Sequence, residues 1–156
     1  MARVYSVPIN AVTVSAAQDF FYLLCSSSVP IEIHSVQLDQ KTLTTWEAKD
    51  ITFRRLAATV TAGSGGSSIT PVVHVPNDAA AAATARINDT TVATTSGSNT
   101  VIKGFDFNFL NGFYWSPAGY DDRIVLAPST AFVVRLGTAP SAAMTVSGEL
   151  TFAELV

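Results

Sequence analysis

Charge is what this chain has least of. Only 13% of its 156 residues are Asp, Glu, Lys or Arg, against about 25% in an average soluble domain. Ala, Thr, Ser and Val fill the gap, and mean hydropathy is +0.33 although the hydrophobic fraction is an ordinary 48%. A solitary domain normally carries more surface charge to stay in solution. The deficit points to surface that is covered in use, by copies of the same chain or by a larger assembly. Basic residues never cluster beyond the pair Arg54-Arg55, and the net charge is −3. That argues against a nucleic-acid groove, which needs a basic footprint. The single cysteine, Cys25, excludes an internal disulfide. Within "DFFYLLCS" it reads as a buried free thiol. No apolar run reaches the roughly 18 residues of a membrane span. Pro8 and Asn10 interrupt the N-terminal "MARVYSVPINAVTVSAAQ", which reads as a strand rather than a signal peptide, so the chain is expected to work without secretion.

Catalytic signatures are also missing. His34 and His74 stand alone, with no H-x-H pair for a cupin-type metal. No serine sits in G-x-S-x-G, and no G-K-[S/T] follows "GSGG". Cys25 lies among apolar residues that raise a thiol pKa, far from either histidine in sequence. No enzyme, cofactor or metal is expected.

What the chain does have is alternation. "RVYSVPI" sets Val4, Ser6 and Pro8 against Tyr5, Val7 and Ile9, and "PIEIHSVQL" sets Ile31 and Ile33 against Glu32 and His34. "VTVS", "DFFYLLCS", "DITFRRLAATV", "TVIKGFDFNFL", "RIVLA", "TAFVVRL" and "AMTVSGELTF" read as further strands, rich in Val, Ile, Thr and Phe. Eight to ten strands in one 1–156 domain predict an all-β sandwich or barrel. Two stretches dissent. "AGSGGSSITP" (62–71) reads as a flexible loop. "NDAAAAATARIN" (77–88) has good helix formers but no stripe of large apolar residues. It predicts at most one short helix, over about 78–86, or an extended small-residue segment packed closely against something.

"FDFNFLNGFYWSPAGYDDRI" (105–124) holds seven of the fifteen aromatics. Phe105, Phe107 and Phe109 share one face at strand period and are expected in the core. Asn111-Gly112 signals a two-residue hairpin, with Phe113-Tyr114-Trp115 opening the return strand. Three consecutive aromatics cannot all point inward. Phe113, Tyr114, Trp115 and, further on, Tyr120 are therefore the candidates for contact with a partner or ligand. Asp121 and Asp122 beside Arg123 read as a local salt bridge holding the loop. Calcium needs six to eight oxygens, and no Asp/Asn/Gly series surrounds the two acids.

The segments "VSAAQDFFYLL", "VPIEIHSVQL", "GSGGSSITPVV", "NDTT", "YWSPAGYDDRIVLAPSTAFVVRL" and "TVSGELTFAEL" span nearly the whole chain. In their order they resemble a group of small proteins encoded in tailed-bacteriophage genomes. The matches are patterns of strand and turn rather than catalytic motifs. The resemblance implies a non-enzymatic virion component with a jelly-roll-like β-sandwich, assembled in the host cytoplasm. Its implied role is a capsid decoration (cement) protein that stabilises the head. Its partners would be itself, as a homotrimer matched to local threefold symmetry, and the major capsid protein or other virion proteins, with no nucleic acid and no membrane. The alternative is a tail-associated module that reads a host-surface glycan through Tyr114, Trp115 and Tyr120.

Overall fold

The computed structural model describes residues 2–156 and is all-β, with 58% of the chain in strands and 4% in 3₁₀ turns. Fourteen strands follow in chain order. The first four are β1 (Ala2–Val14), β2 (Gln18–Leu24), β3 (Ile31–Gln40) and β4 (Ala48–Leu56). Five short ones follow: β5 (Val60–Thr61), β6 (Ser67–Ile69), β7 (Val72–Val73), β8 (Thr84–Asp89) and β9 (Thr94–Thr95). The last five are β10 (Asn99–Asn108), β11 (Phe113–Trp115), β12 (Ile124–Leu126), β13 (Ala131–Leu136) and β14 (Met144–Leu155).

One sheet has the order β11-β3-β14-β1-β7, with β12 also on β3; the other has β10-β4-β13-β2-β8-β6. Every pairing is antiparallel. The long strands change sheet at each connection except across residues 57–98, which separate β4 from its own neighbour β10. Counting β11 and β12 as one interrupted strand, eight strands in this order make a jelly-roll sandwich.

Alternation decides which side chains enter the core. Tyr5, Val7 and Ile9 of β1, Ile31 and Ile33 of β3, and Leu150 and Phe152 of β14 are buried from one sheet. Ile51 and Phe53 of β4, and Phe132, Val134 and Leu136 of β13, meet them from the other. Phe53 sits at the seam. Its ring lies 5.1 Å from Phe105 and 5.3 Å from Phe132 in its own sheet, and 6.0 Å from Phe113 and 5.2 Å from Trp115 in the opposite one. A cavity of about 10 Å³ lies between the sheets, near Phe20 and Phe107. It has room for about one water.

β2 and β13 are buried along nearly their whole length rather than on alternate residues, because they are covered on both faces. Residues from the 57–98 segment lie over the outer face, where Tyr22, Leu56, Ala93, Ala131 and Val133 form a second cluster. Two buried carboxylates, Asp19 and Glu154, hold that segment down, and a third, Asp89, ties parts of it to one another. Asp19 accepts from Ala93 N–H at 2.7 Å and from Arg135 at 2.6 and 3.1 Å. Asp89 accepts from Gly66 N–H at 3.1 Å and is clamped by Arg86. Glu154 accepts from the N–H groups of Ala82 and Ala83 at 2.7 and 2.9 Å.

These contacts decide between the two forms expected at 78–86, in favour of the extended one, and correct the expectation for 62–71. No helix forms at 78–86: Asp78 to Ala83 run without regular structure and Thr84 begins β8. Glu154 captures backbone donors there, and Tyr5 donates to the Ala79 carbonyl at 3.0 Å, so an extended chain satisfies its polar groups better than an isolated short helix. The Gly/Ser stretch at 62–71 is fixed rather than flexible. It contributes β6 and a bridge between Ser64 and Thr91, and a side chain at Gly66 would collide with the backbone of β8.

Asn111-Gly112 is not a hairpin either. Phe109–Asn111 is a 3₁₀ turn capped by the Asn108 side chain, and Gly112 takes φ 70° to leave it. β10 pairs with β4 in one sheet and β11 with β3 in the other. The turn carries the chain across the sandwich. Phe105 and Phe107 pack half-buried against the core, and Phe109 is fully in it.

Replacing Phe53 by Ala is expected to cost about 3–5 kcal/mol, read from the shift in denaturant midpoint. Phe107→Ala, at a half-buried position, is expected to cost clearly less. Equal losses for the two would contradict this account of the seam.

Candidate interaction site

The last strands of the two sheets, β10 and the β11/β12 pair, lie on the same side of the sandwich, and this side is the least protected. β10 is ten residues long and pairs only with β4, so its other edge faces solvent. Proteins usually blunt such edges. The opposite ends of the sheets are capped by β7, of two residues, and β6, of three. The β11/β12 edge is broken by the excursion 116–123. Gly104, in the middle of β10, has no internal reason to be glycine: a Cβ there meets nothing within 4 Å. A glycine in a strand interior costs about 0.5–1 kcal/mol relative to alanine. It often marks a bulge or close approach by another backbone, and the register of β10 on β4 shifts just before it, between Val101 and Lys103. Asp106 stands directly across from Asp50, and facing like charges weaken a strand pair.

The excursion is tied down at both ends. Asp122 accepts from Lys103 Nζ on β10 at 2.5 Å and from Ala118 N–H at 3.2 Å. The Lys103 ammonium lies 5.8 Å from the Trp115 ring. Arg123 Nη1 donates to both oxygens of Glu32 on β3, at 3.1 and 3.0 Å, and its Nε donates to the Tyr120 carbonyl at 3.3 Å. The Arg123 guanidinium lies 3.7 Å from the centre of the Tyr120 ring. The expected salt bridge among Asp121, Asp122 and Arg123 is therefore absent. Each charged end finds a better partner on another strand, and Asp121 is left exposed.

Of the four aromatic candidates, Phe113 and Trp115 are buried against Phe53. Tyr114, between them, points outward at 67% exposure, and Tyr120 stands at 81%. The candidates for contact narrow to these two tyrosines. Beside Tyr120 lies an open depression of about 450 Å³ lined by His34, Ser116, Pro117, Gly119, Tyr120 and Arg123. His34 Nε2 is 3.5 Å from Glu32 Oε1. Sequence reading missed Glu32, His34 and Lys103 as parts of this side. Glu32 and Arg123 are 91 residues apart, and no local pattern links them. Gly104 left a legible signal, a glycine inside a strand pattern.

Elsewhere the chemistry is sparse. Burial pushes the Cys25 thiol up to about 11, so it is not a thiolate at neutral pH. Among the described residues no group of three or more His, Cys, Asp or Glu side chains is placed to hold a metal. No helix among them is long and apolar enough to cross a membrane. A second open groove, of about 670 Å³, runs between β2, β8 and the 57–98 segment past Tyr22, Leu24, Val60 and Ala85. Comparison with protein families, with curated proteins and with solved structures gives no match.

The Lys103 ammonium first, and the Ala118 N–H after it, hold the Asp122 carboxyl below the ordinary aspartate value of 3.8. A depressed carboxylate stabilises the fold above its unfolded value and loses that contribution as pH falls through its folded one. Trp115 fluorescence is therefore expected to be flat through neutral pH and to change below about pH 4 as Lys103 is released. Lys103→Met should abolish the change. A transition that persists in that variant would assign it to another group.

Proposed function

We propose that this is a non-enzymatic assembly protein that works by contact through the open side of its sandwich. The carrying observation is the long unpaired edge of β10, with Gly104 at its centre, beside the outward Tyr114 and Tyr120. Scarce charge supports the same reading, since little desolvation opposes association. Together with the resemblance to tailed-bacteriophage proteins, the best reading is a virion structural protein, most specifically a homotrimeric capsid decoration protein. Its action would be mechanical. It covers a seam between capsid subunits, buries apolar and backbone groups there, and raises the barrier to rupture of the head. The alternative glycan platform of Tyr114, Trp115 and Tyr120 loses its central member to the core.

An interfacial aromatic in a packed pocket is worth about 2 kcal/mol or more on truncation. The double variant Tyr114→Ala, Tyr120→Ala is expected to leave its oligomer or the particle while still folding, because both side chains lie outside the core. Sedimentation and binding to purified heads measure this. A wild-type chain that sediments as a monomer at micromolar concentration and also fails to bind heads would overturn the assembly reading.

A further inference from the structure

We infer that the depression beside Tyr120 binds a neutral saccharide, its ring stacked on the open face of Tyr120, which Arg123 backs from the other side, and its hydroxyls held at the rim by Ser116 and His34. It keeps only Tyr120 of the discarded three-ring platform and shares that residue with the assembly reading, so it is tested on the free chain, where failure to bind heads leaves it standing.

The first observation is that a highly exposed tyrosine is held in place. Its ring rests on the Arg123 guanidinium at 3.7 Å. That guanidinium is fixed by both oxygens of Glu32 and by the Tyr120 carbonyl. The turn beneath is closed by Asp122 N–H on the Gly119 carbonyl at 3.2 Å and by Lys103 on Asp122. Ordering an exposed side chain costs entropy, and Tyr120 returns nothing to the core. Such ordering favours binding, because a ligand meets a surface that is already arranged. Tyrosine is suited to this, with a broad apolar face and few torsions to freeze.

The second observation is the shape of the mouth. Gly119 is extended, with φ −172°, and a Cβ there would meet nothing within 4 Å. The fold therefore does not need glycine at this position. Its absent side chain keeps the approach to the Tyr120 ring low and open.

The third is charge and hydrogen-bonding capacity. Glu32 offsets Arg123, so the floor is polar without a net charge from that pair, which disfavours phosphate or carboxylate ligands. Arg123 Nη2 has no protein partner, and neither has the Ser116 hydroxyl. A few directed polar groups around one apolar face is how small-ligand sites fix orientation. A pyranose offers the complement, an apolar C–H face rimmed by hydroxyls.

The test is saturation-transfer NMR on the full chain. The probes are the methyl glycosides of glucose, galactose, mannose and N-acetylglucosamine at millimolar concentration. Transfer from the protein to ring C–H protons of at least one glycoside is expected. Tyr120→Ala should weaken that binding by about tenfold or more, and Tyr114→Ala should leave it unchanged. Glu32→Gln keeps the Tyr120 ring but loosens Arg123, and should weaken binding as well. Absence of transfer from all four glycosides, or binding that survives Tyr120→Ala, would overturn the inference. So would equal or tighter binding of glucuronate, because a net-neutral floor should not favour an anion.

Discussion

Phe53 is touched by rings from both sheets, and the open side of the sandwich depends on that contact. Two β-sheets meet face to face only where their inner side chains interdigitate. At the centre of the molecule β-branched and aliphatic residues do this. Towards β10 and β11 the strands are edge strands with neighbours on one side only, so fewer ladders hold them. Large rings compensate. Phe105 and Phe113 lie 5.2 Å apart across the gap, and Phe107 packs edge-on against Phe109 at 4.9 Å. Each ring buries a large apolar area, and edge-to-face pairs add about 0.5–1.5 kcal/mol beyond it. The concentration of aromatics between residues 105 and 115 thus has a structural cause. It closes the sandwich where backbone pairing is weakest, and only Tyr114, on the opposite face of its strand, is released for contact outside.

How much of this was legible in the sequence follows from what each pattern encodes. Period-two alternation reports which face of a strand is buried, so β1, β3, β4 and β14 could be read directly. It does not report which strand lies alongside. The Asn111-Gly112 pair signalled a turn, and a turn is there, but nothing local says that the returning strand belongs to the other sheet. That is decided by the pairing of Phe113 with Leu38, 75 residues earlier in the chain. The Ala-rich stretch stayed open between helix and extended segment for the same reason. Its helix propensity is a local quantity of a few tenths of a kcal/mol per residue, whereas Glu154 offers two buried hydrogen bonds from the far end of the chain. The ion pairs of Asp122 and Arg123 were invisible because Lys103 and Glu32 come together only after folding.

The 57–98 segment shows how the chain secures a long insertion without a large core of its own. Its strands are two to six residues long and could not stand alone. Asp19 and Glu154 are each nearly inaccessible, and each is met by backbone N–H groups of the segment. A buried carboxylate without such partners would be costly, so Glu154 needs the docked segment, and Asp19, already paired with Arg135, gains a further donor from it. The requirement is mutual, since the Ala82, Ala83 and Ala93 donors would otherwise be unpaired. Burial raises Asp19 above the usual carboxylate range despite Arg135 and Ala93, a sign that this anchor is maintained against a real desolvation cost.

Those anchors sharpen what the scarcity of charge means. Lys49, Arg86, Lys103, Arg123 and Arg135, five of the nine Lys and Arg side chains, are engaged by carboxylates of the same chain. The charge left to the outer surface is thinner than the composition alone suggests. A surface of Ala, Thr, Ser and Val has little to lose on being covered, because hydroxyls and small apolar groups desolvate at a fraction of the cost of ammonium or carboxylate. On the open side Asp50 and Asp106 face one another, and Tyr114 and Tyr120 stand out. A partner strand carrying a cation opposite Asp106 would relieve that repulsion and pair with β10 in the same step. Specificity would then come from the few charges that remain, and affinity from backbone pairing and the tyrosines.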